Sequence, residues 1–279
     1  MSADDADAGR SVTVAAPAKL TLSLRVTGRR SDGYHLLDAE MVTLDLGDTL
    51  SFGPGQGLTA VDEVSGGRGL GALDTGADNL VLRALALAGR QAAVHVVKRV
   101  PLGAGLGGGS ADAAAVLRWA GWRPEPQRLA AAAALGADVP FCLTGGRARV
   151  RGIGEQVEPL SFVARCFVLV LPPLAVDTAS AYRAFDEIGA GSRDPEGGGN
   201  DLEPAALAVE PALALWRDAF AELTGRRPRL AGSGAAWFVE GSPTELGLEG
   251  RSSLALGRAA TALRAPLVAV RTTPALTGA

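Results

Sequence analysis

Length, composition and charge exclude several classes of protein before any motif is considered. The chain has 279 residues, of which 47% are hydrophobic and only 5% aromatic, so its core must be built mainly from Ala, Leu and Val. A net charge of −3 without any concentrated basic segment argues against nucleic-acid binding. The apolar runs are shorter than the roughly 18 residues of a membrane span, the two cysteines have no metal or disulfide spacing, and the acidic start is unlike a signal peptide. We therefore expect a cytoplasmic protein.

The first predicted element is a strand that follows a short tail. We expect residues 1–10 to be disordered because they are small and acidic. Apolar and polar residues alternate over 19–27, which predicts a half-buried strand with Lys19 on its polar face. A loop over 28–35 follows and contains Tyr34 and His35. Taken singly, Lys19 is typical of a solvated strand residue, and the two ring residues are typical of an ordinary loop.

The next hundred residues predict short strands, turns and one helix before a glycine-rich loop. Residues 38–52 predict short strands, and the glycine-rich stretch 53–71 predicts turns or an irregular hairpin. The segment 79–88 predicts an apolar helix capped by Asn79. Residues 92–98 predict the strand that leads into the loop.

The glycine-rich loop is the most informative segment of the sequence. Five glycines fall within 103–109, and an alanine-rich helix is predicted at 111–120. Glycines without side chains let backbone amides surround an anion, and the start of a helix points free N–H groups and a positive dipole end at the same place. Ser110 fits as the N-cap, or as a hydroxyl that faces a phosphate or its Mg²⁺. We interpret the segment as a nucleotide-phosphate loop rather than a flexible turn.

Two better-known phosphate loops do not fit this segment. A Walker A loop ends in Gly-Lys-Ser/Thr, and this loop contains no lysine. Residues 103–108 satisfy the dinucleotide pattern G-x-G-x-x-G, which is a weak signal alone. Pro101 interrupts the approach from the strand, and 122–126 are turn-like where a second strand should end in an acidic residue. The dinucleotide-binding interpretation is therefore disfavoured.

An aspartate stands out further along the chain. Asp138 lies in the otherwise apolar segment 136–141, directly before Val-Pro. One interpretation is a turn aspartate that caps the next helix, and the other is a partly buried carboxylate that accepts a proton from a substrate hydroxyl. The remaining predicted elements are a helix at 127–135, a strand and turn at 147–155, a buried strand at 166–171, a helix from Asp177 that contains Tyr182, a mobile loop at 189–200, a glycine turn and strand at 230–239, a final helix at 252–264 and an edge strand at 267–271.

Four of these segments resemble the GHMP small-molecule kinases. Pro101 to Ser110, with Pro-x-x-x-Gly-Leu-Gly-Gly-Gly-Ser, resembles their phosphate loop, Gly-Ala-Asp-Val-Pro-Phe around Asp138 resembles their second motif, and 230–239 resembles their third. The opening segment 17–37, which contains Asp-Gly-Tyr-His, resembles the members whose substrate carries a cytidine diphosphate. The segments occur in the same order as in the family, and together they span most of the chain.

The resemblance implies a fold with two lobes. The mixture of strands and helices lacks steady βα alternation and so predicts the α+β class. In the family fold, residues 11–162 would form a lobe like domain 2 of ribosomal protein S5, and residues 163–279 a ferredoxin-like α/β lobe. The active site would lie between the two lobes.

The resemblance also implies roles for individual residues. Lys19 and Asp138 are expected to be catalytic, and Ser110 to contact Mg²⁺. Tyr34 is expected to stack on cytosine with Tyr182 opposite, while His35 binds the edge of the base. The expected ATP-binding residues are Asn79, Pro101, Leu102, Gly103, Ala104, Gly105, Leu106, Gly107, Gly108, Gly109, Ser110 and Ala111. The expected substrate-binding residues are Thr21, Tyr34, His35, Asp138, Thr178, Tyr182, Gly232 and Ser233, although the family usually has asparagine at the position of Thr21.

The function that follows is ATP- and Mg²⁺-dependent phosphorylation of a hydroxyl on a cytidine-diphospho sugar alcohol, in the non-mevalonate route to isoprenoid precursors. The partner is a small molecule, with no nucleic acid or membrane, and the protein is expected to be a monomer or weak homodimer. One alternative is another GHMP kinase, of the mevalonate or homoserine type. A second is a non-catalytic nucleotide-binding relative, against which the presence of both Lys19 and Asp138 argues.

Overall fold

The fold is described from a computed structural model of the chain. It covers residues 11–64, 74–189, 199–257 and 263–276. The predicted tail at 1–10 and most of the predicted loop at 189–200 lie outside the described residues.

Strands and helices alternate irregularly along the chain, as in the predicted α+β class. The strands are β1 (Val12–Arg29), β2 (His35–Gly53), β3 (Gly57–Asp62), β4 (Ala93–Lys98), β5 (Arg147–Gly152), β6 (Gln156–Leu160), β7 (Cys166–Val170), β8 (Arg229–Leu230), β9 (Trp237–Glu240), β10 (Ser253–Leu256) and β11 (Leu263–Thr273). The helices are α1 (Leu80–Leu87), α2 (Gly108–Trp119), α3 (Pro126–Ala133), α4 (Val139–Thr144), α5 (Thr178–Ile188), α6 (Glu203–Val209) and α7 (Leu213–Thr224).

The long strand β2 organises the first half of the sheet. It pairs antiparallel with β1 along most of its length, with β5 over Leu37–Val42 and with β4 over Thr49–Gly53. Near its middle it also touches the end of β11, which pairs with β7 in the second half of the chain. The two halves of the sheet are therefore joined through β2 and β11.

Two predictions about elements were wrong. Residues 253–256 form β10, which pairs antiparallel with the start of β11, where a final helix was expected. The residues predicted as an edge strand, 267–271, pair with β7, and β11 meets β2 only at Thr272 and Thr273. The leucine- and alanine-rich sequence favours a helix locally, but a pairing partner farther along the chain overrides that weak preference. Within the stretch predicted as turns, β3 pairs parallel with β4.

The centre of β1 is buried on both faces, which corrects the prediction of a half-buried strand around Lys19 and Thr21, whereas the polar face from Ser23 to Thr27 is half-buried or exposed. Leu20 and Leu22 belong to a core cluster that includes Phe167 and Phe238 from the second half of the chain. On the opposite face, Lys19 is only 4% exposed. The alternating pattern therefore separates an apolar core from a second, polar surface that is covered by loops. The boundary predicted between residues 162 and 163 stays a prediction.

Small side chains let α2 pack closely, as the composition predicted. Its run from Ala113 to Ala115 is fully buried, and the helix lies against β1, α1 and α4. None of the helices in the described ranges combines the length and hydrophobicity that a bilayer-spanning helix needs.

Candidate active site

Lys19 is the residue on which the predicted site converges. Its ammonium lies 3.3 Å from Asp138 Oδ2 and donates a hydrogen bond to Thr21 Oγ1 at 3.1 Å. Its backbone N–H donates to the Leu106 carbonyl of the glycine-rich loop at 3.0 Å. The Lys19 side chain is 5% exposed and that of Asp138 is 30% exposed. A buried cation and a partly accessible carboxylate thus meet beside the loop, although 119 positions separate them along the chain.

Asp138 does not act as the cap that the simpler interpretation required. It precedes α4 in the N-cap position, but its side chain makes no capping hydrogen bond. The carboxylate instead faces Lys19. A carboxylate that leaves nearby helix N–H groups unbonded is available for another partner. The geometry favours the functional interpretation of this residue.

The helix after the glycine-rich loop begins three residues earlier than predicted. Gly107 is the N-cap, in the left-handed conformation with φ of 69°, and Gly108 is the first helical residue. Ser110 is therefore not the N-cap, and that prediction was wrong. A Cβ on Gly107 would lie 2.8 Å from Lys19 Cγ, so glycine is needed here both for its backbone angle and for space. The first turn of α2 lines the cleft through Gly108, Gly109 and Ser110, and the N–H groups of a first helical turn have no partner within the helix.

The third predicted motif packs against the same loop. Ala235 N donates to Gly103 O at 2.9 Å, and Ala236 N donates to Ala104 O at 3.1 Å. A Cβ on Gly105 would lie 1.9 Å from the carbonyl oxygen of Ala231, so only glycine permits this contact. The turn therefore closes one side of the cleft.

A cleft of 340 Å³ lies where these loops meet. It brings together most of the predicted site residues, and Thr178 and Ser233 are joined there by their hydroxyls at 3.0 Å. Its lining residues are Lys19, Thr21, Leu24, Leu37, Met41, Leu80, Leu102, Gly103, Ala104, Gly105, Leu106, Gly107, Gly108, Gly109, Ser110, Ala137, Asp138, Val176, Thr178, Tyr182, Leu202, Gly232, Ser233 and Gly234. The predicted residues outside this lining are Asn79, Pro101, Ala111, Tyr34 and His35.

Asn79 uses both of its polar side-chain atoms within the chain. Its Oδ1 accepts from Val81 N at 2.8 Å, as expected of the cap of α1, and its Nδ2 donates to Asp74 O. The neighbouring Leu80 reaches the cleft and lies next to Gly109. The predicted contact of Asn79 with ATP stays a prediction.

Two of the residues predicted to hold a base contact each other. Tyr182 stacks on His35, with ring centroids 4.7 Å apart and an interplanar angle of 19°. Tyr34 is 61% exposed. Burial raises the pKa of the Tyr182 phenol, and the negative charge of Asp138 adds to the shift. Tyr182 and Asp138 therefore share one environment, while the stacking role of Tyr34 stays a prediction.

A buried charge cluster beneath the loop was missed by the sequence analysis. Lys98 Nζ donates to Asp48 Oδ2 and, at 2.6 Å, to Asp112 Oδ2. Asp48 also accepts the backbone N–H groups of Arg99 and Val100, at 2.5 and 2.8 Å, directly before the glycine-rich loop. None of the three cluster side chains is more than 7% exposed. The cluster thus fixes both the start of the loop and helix α2.

One ammonium must serve two carboxylates in this cluster. Burial alone would lower the pKa of Lys98, but the attraction of Asp112 and Asp48 outweighs it and raises that pKa. Burial raises the pKa of Asp112 to about 7; repulsion from Asp48 adds to the shift and Lys98 opposes it. Asp112 is also the less well bonded of the two carboxylates, because its Oδ1 has no hydrogen-bond partner among the described residues, whereas Asp48 accepts from two backbone N–H groups.

One signal in the sequence could have identified Lys98. Only two of the 27 basic residues are lysines, Lys19 and Lys98, and each is 4% exposed. A lysine is almost never fully buried unless it is paired. In a chain that otherwise uses arginine throughout, both lysines were candidates for a special position.

The chemistry of the cleft fits a nucleotide triphosphate with its magnesium ion. Close-approaching glycines and free helix N–H groups suit phosphate oxygens. Mg²⁺ prefers oxygen ligands and binds through few protein groups together with substrate phosphates and water. Among the described residues no group of three or more acidic, histidine or cysteine side chains gathers to form a separate metal site. The hydroxyl of Ser110, which lies near Gly136 in the segment before Asp138, fits that limited role.

Comparisons with known proteins agree with this geometry. Residues 79–146 match the family described as GHMP kinases N terminal domain. A 4-diphosphocytidyl-2-C-methyl-D-erythritol kinase from Paracoccus denitrificans is 40% identical over 241 residues, which cover 80% of this chain and 85% of that protein. A protein of the same name from Paramagnetospirillum magneticum is 36% identical and covers 82% of this chain and 88% of its own length.

Solved structures support the same fold. A structure of 4-(cytidine 5'-diphospho)-2C-methyl-D-erythritol kinase shares 35% identity with a TM-score of 0.59, covering 81% of this chain and 89% of that chain. A mevalonate kinase structure has a TM-score of 0.55 at 11% identity, over 94% of this chain and 99% of that chain. At that low identity the second likeness shows the fold alone.

Proposed function

Since the chain belongs to the family of 4-diphosphocytidyl-2-C-methyl-D-erythritol kinases, we propose that its cleft transfers the γ-phosphoryl group of ATP to the 2-hydroxyl of 4-diphosphocytidyl-2-C-methyl-D-erythritol. In this step the hydroxyl oxygen forms a bond to the γ-phosphorus and the bond between that phosphorus and the β,γ-bridging oxygen breaks. The products are the 2-phosphate and ADP, and the hydroxyl proton leaves to a base. The reaction belongs to the non-mevalonate route to isoprenoid precursors.

In this proposal Asp138 receives that proton. It is the only carboxylate among the described residues that line the cleft, and its partial exposure leaves it accessible to a substrate hydroxyl. Positioned general bases contribute about 10²- to 10⁴-fold to a reaction rate. Because Lys19 lies against the same carboxylate, it holds Asp138 in place and steadies negative charge on the transferring group.

The glycine-rich loop and the start of α2 hold the phosphates of ATP. Phosphoryl transfer depends mainly on positioning and on stabilising charge, because there is little covalent chemistry for the protein to perform. Mg²⁺, when bound, neutralises charge on the terminal phosphates, and Ser110 would hold it together with those phosphates. Thr21 Oγ1 accepts from Lys19 and keeps its own proton for donation, so it can orient the lysine and contact substrate.

The observation that carries the proposal is the 3.3 Å contact between Lys19 and Asp138 at the edge of the phosphate loop. A loop of this kind alone would indicate only nucleotide binding. The paired lysine and carboxylate add the groups that a hydroxyl acceptor needs. A cytoplasmic location and independence of nucleic acid remain predictions from composition, and a monomeric or weakly dimeric state also remains a prediction.

The test measures ADP release with the cytidyl substrate, with mevalonate and with homoserine. We expect activity on the cytidyl substrate alone. Asp138→Asn should lower kcat by about 10² or more while ATP binding is retained, because the amide cannot accept a proton. The control is Asp218→Asn, at an exposed carboxylate on α7. Activity only on the small alcohols would reject the proposed substrate, and a near-normal kcat for Asp138→Asn would reject its role as the base.

A further inference from the structure

Three side chains on one face of helix α5 hold the ring of His35. Tyr182 stacks on the imidazole, Phe185 meets it edge-on at 6.1 Å, and Asp186 Oδ1 lies 2.7 Å from His35 Nε2. Residues at positions i, i+3 and i+4 share one face of a helix, so α5 presents a continuous surface to the ring. The His35 side chain is 10% exposed. The ring is therefore fixed in orientation by contacts that neither the phosphate loop nor the pair of Lys19 and Asp138 needs.

Asp186 is itself held as an acceptor. Its second oxygen, Oδ2, lies 3.2 Å from Arg29 Nη1. A carboxylate bound by a guanidinium accepts hydrogen bonds and donates none. The nitrogen of His35 that faces Asp186 must then carry a proton. A neutral imidazole has one donor and one acceptor nitrogen, so Nδ1 is left as the acceptor, and it has no hydrogen-bond partner among the described residues.

We infer that Asp186 is a positioning residue for base recognition, which fixes the His35 proton on Nε2 and leaves Nδ1 to accept a hydrogen bond from the exocyclic amino group of cytosine. This inference rests on the proposed function. Cytosine carries an amino donor where uracil carries a carbonyl acceptor. If Nδ1 of His35 is an acceptor, it pairs with the amino group of cytosine. Against uracil, Nδ1 would face the carbonyl oxygen, and neither acceptor would have a hydrogen to share. The pair of Asp186 and Arg29 would thereby determine that the substrate is a cytidine rather than a uridine derivative.

The first measurement is spectroscopic and needs no substrate. The chain has two histidines, so ¹⁵N spectra of the imidazole nitrogens contain signals from His35 and His95 only. At a pH where both rings are neutral, we expect the proton of His35 on Nε2 in the unaltered protein. In Asp186→Ala we expect a mixture of tautomers. His95, whose Nδ1 lies 2.9 Å from Thr59 Oγ1, serves as an internal reference that should not change. A proton found on Nδ1 of His35 in the unaltered protein would overturn the inference.

The second measurement is kinetic and compares the cytidyl substrate with its uridyl analogue. Loss of one positioned hydrogen bond should raise KM for the cytidyl substrate about tenfold and reduce the preference for cytidine by a similar factor. The kcat and the KM for ATP should change little, because Lys19, Asp138 and the loop are untouched. The matched control is Glu187→Ala, at the next and exposed residue of α5.

The outcomes separate this inference from the proposed function. If the unaltered protein fails to phosphorylate the cytidyl substrate, the proposed function fails. If it phosphorylates that substrate and Asp186→Ala keeps both its KM and its preference for cytidine, Asp186 has no role in recognition. A fall in kcat with both substrates, at an unchanged preference, would mark Asp186 as a merely structural residue and would also overturn the inference.

Discussion

Replacement of Lys98 by methionine tests how strongly the buried charge cluster holds the glycine-rich loop. Methionine keeps the length of the apolar stem but removes the ammonium. Asp48 and Asp112 then lose their shared cation in a place where neither side chain is more than 7% exposed. The change leaves two buried carboxylates close together. The substitution also removes an ammonium that lies close behind Gly108: a Cβ on that glycine would be only 3.3 Å from Lys98 Nζ.

The expected loss of stability follows from these burials. Breaking a buried ion pair by removing one partner typically costs about 3 to 5 kcal/mol, because an uncompensated charge remains. Asp48 keeps its bonds from Arg99 N and Val100 N, so its share of the cost is smaller than that of Asp112. At about 2 to 4 °C per kcal/mol for a chain of this size, the midpoint of thermal unfolding should fall by about 6 to 20 °C.

Thermal unfolding followed by circular dichroism gives the measurement. The control is Arg99→Met, which makes the same change of charge at the next residue but breaks an exposed pair with Glu63 at 3.0 Å. Exposed pairs contribute about 1 kcal/mol or less, so this variant should unfold within a few degrees of the unaltered protein. Adding Asp112→Asn to Lys98→Met should restore part of the lost stability, because a neutral amide replaces a carboxyl that must stay buried without its cation. A loss for Lys98→Met no larger than that of the control would refute the reasoning.

Two further predictions concern the loop and its supporting carboxylate. Gly107→Ala should raise the KM for ATP about tenfold or more, because the new Cβ would lie 2.8 Å from Lys19 Cγ in a left-handed backbone. The control Gly121→Ala is also at positive φ but has open space around it, so it should leave that KM unchanged. Equal KM values for the two variants would contradict the prediction. The pKa of Asp112 is raised to about 7 from an ordinary 3.8, so the folded state binds the proton of this carboxyl more tightly than the unfolded state does. The stability that this proton contributes is therefore present at low pH and is lost as the pH rises towards 7. Without nucleotide or Mg²⁺, the unaltered protein should therefore lose stability relative to Asp112→Asn as the pH rises from about 4 to about 7. A constant difference in unfolding midpoint over this range would contradict the prediction.

The sequence predicted the parts of the site that are encoded by local pattern. The five closely spaced glycines predicted a loop of bare amides at the start of a helix, and Asp138 stood out because its neighbours are apolar. The resemblance supplied the pairing of Asp138 with Lys19, and the 3.3 Å contact agrees with it. Local pattern was less accurate about boundaries. Ser110 is a common capping residue, yet the left-handed Gly107 starts the helix three positions earlier.

What the sequence could not predict depends on pairing between distant strands. Lys98 meets Asp48 because β4 lies antiparallel beside β2 in one register, and no local pattern specifies that register. The same limit explains β10, whose leucines and alanines favour a helix until β11 supplies a partner. The ring of His35 faces α5 only because the two halves of the chain pack together, so the stack with Tyr182 was also beyond local reasoning.

The choice of lysine over arginine at two positions follows from the shape of the site. A compact ammonium can donate in three directions, and Lys19 uses this to reach both Thr21 and Asp138, as Lys98 does to reach Asp48 and Asp112. The space around each ammonium is bounded by glycines, since a Cβ on Gly232 would lie 3.1 Å from Lys19 Nζ. A planar guanidinium is larger and would displace these loops. The glycines and the two lysines are therefore parts of one arrangement, in which bare backbone makes room for small cations next to the glycine-rich loop.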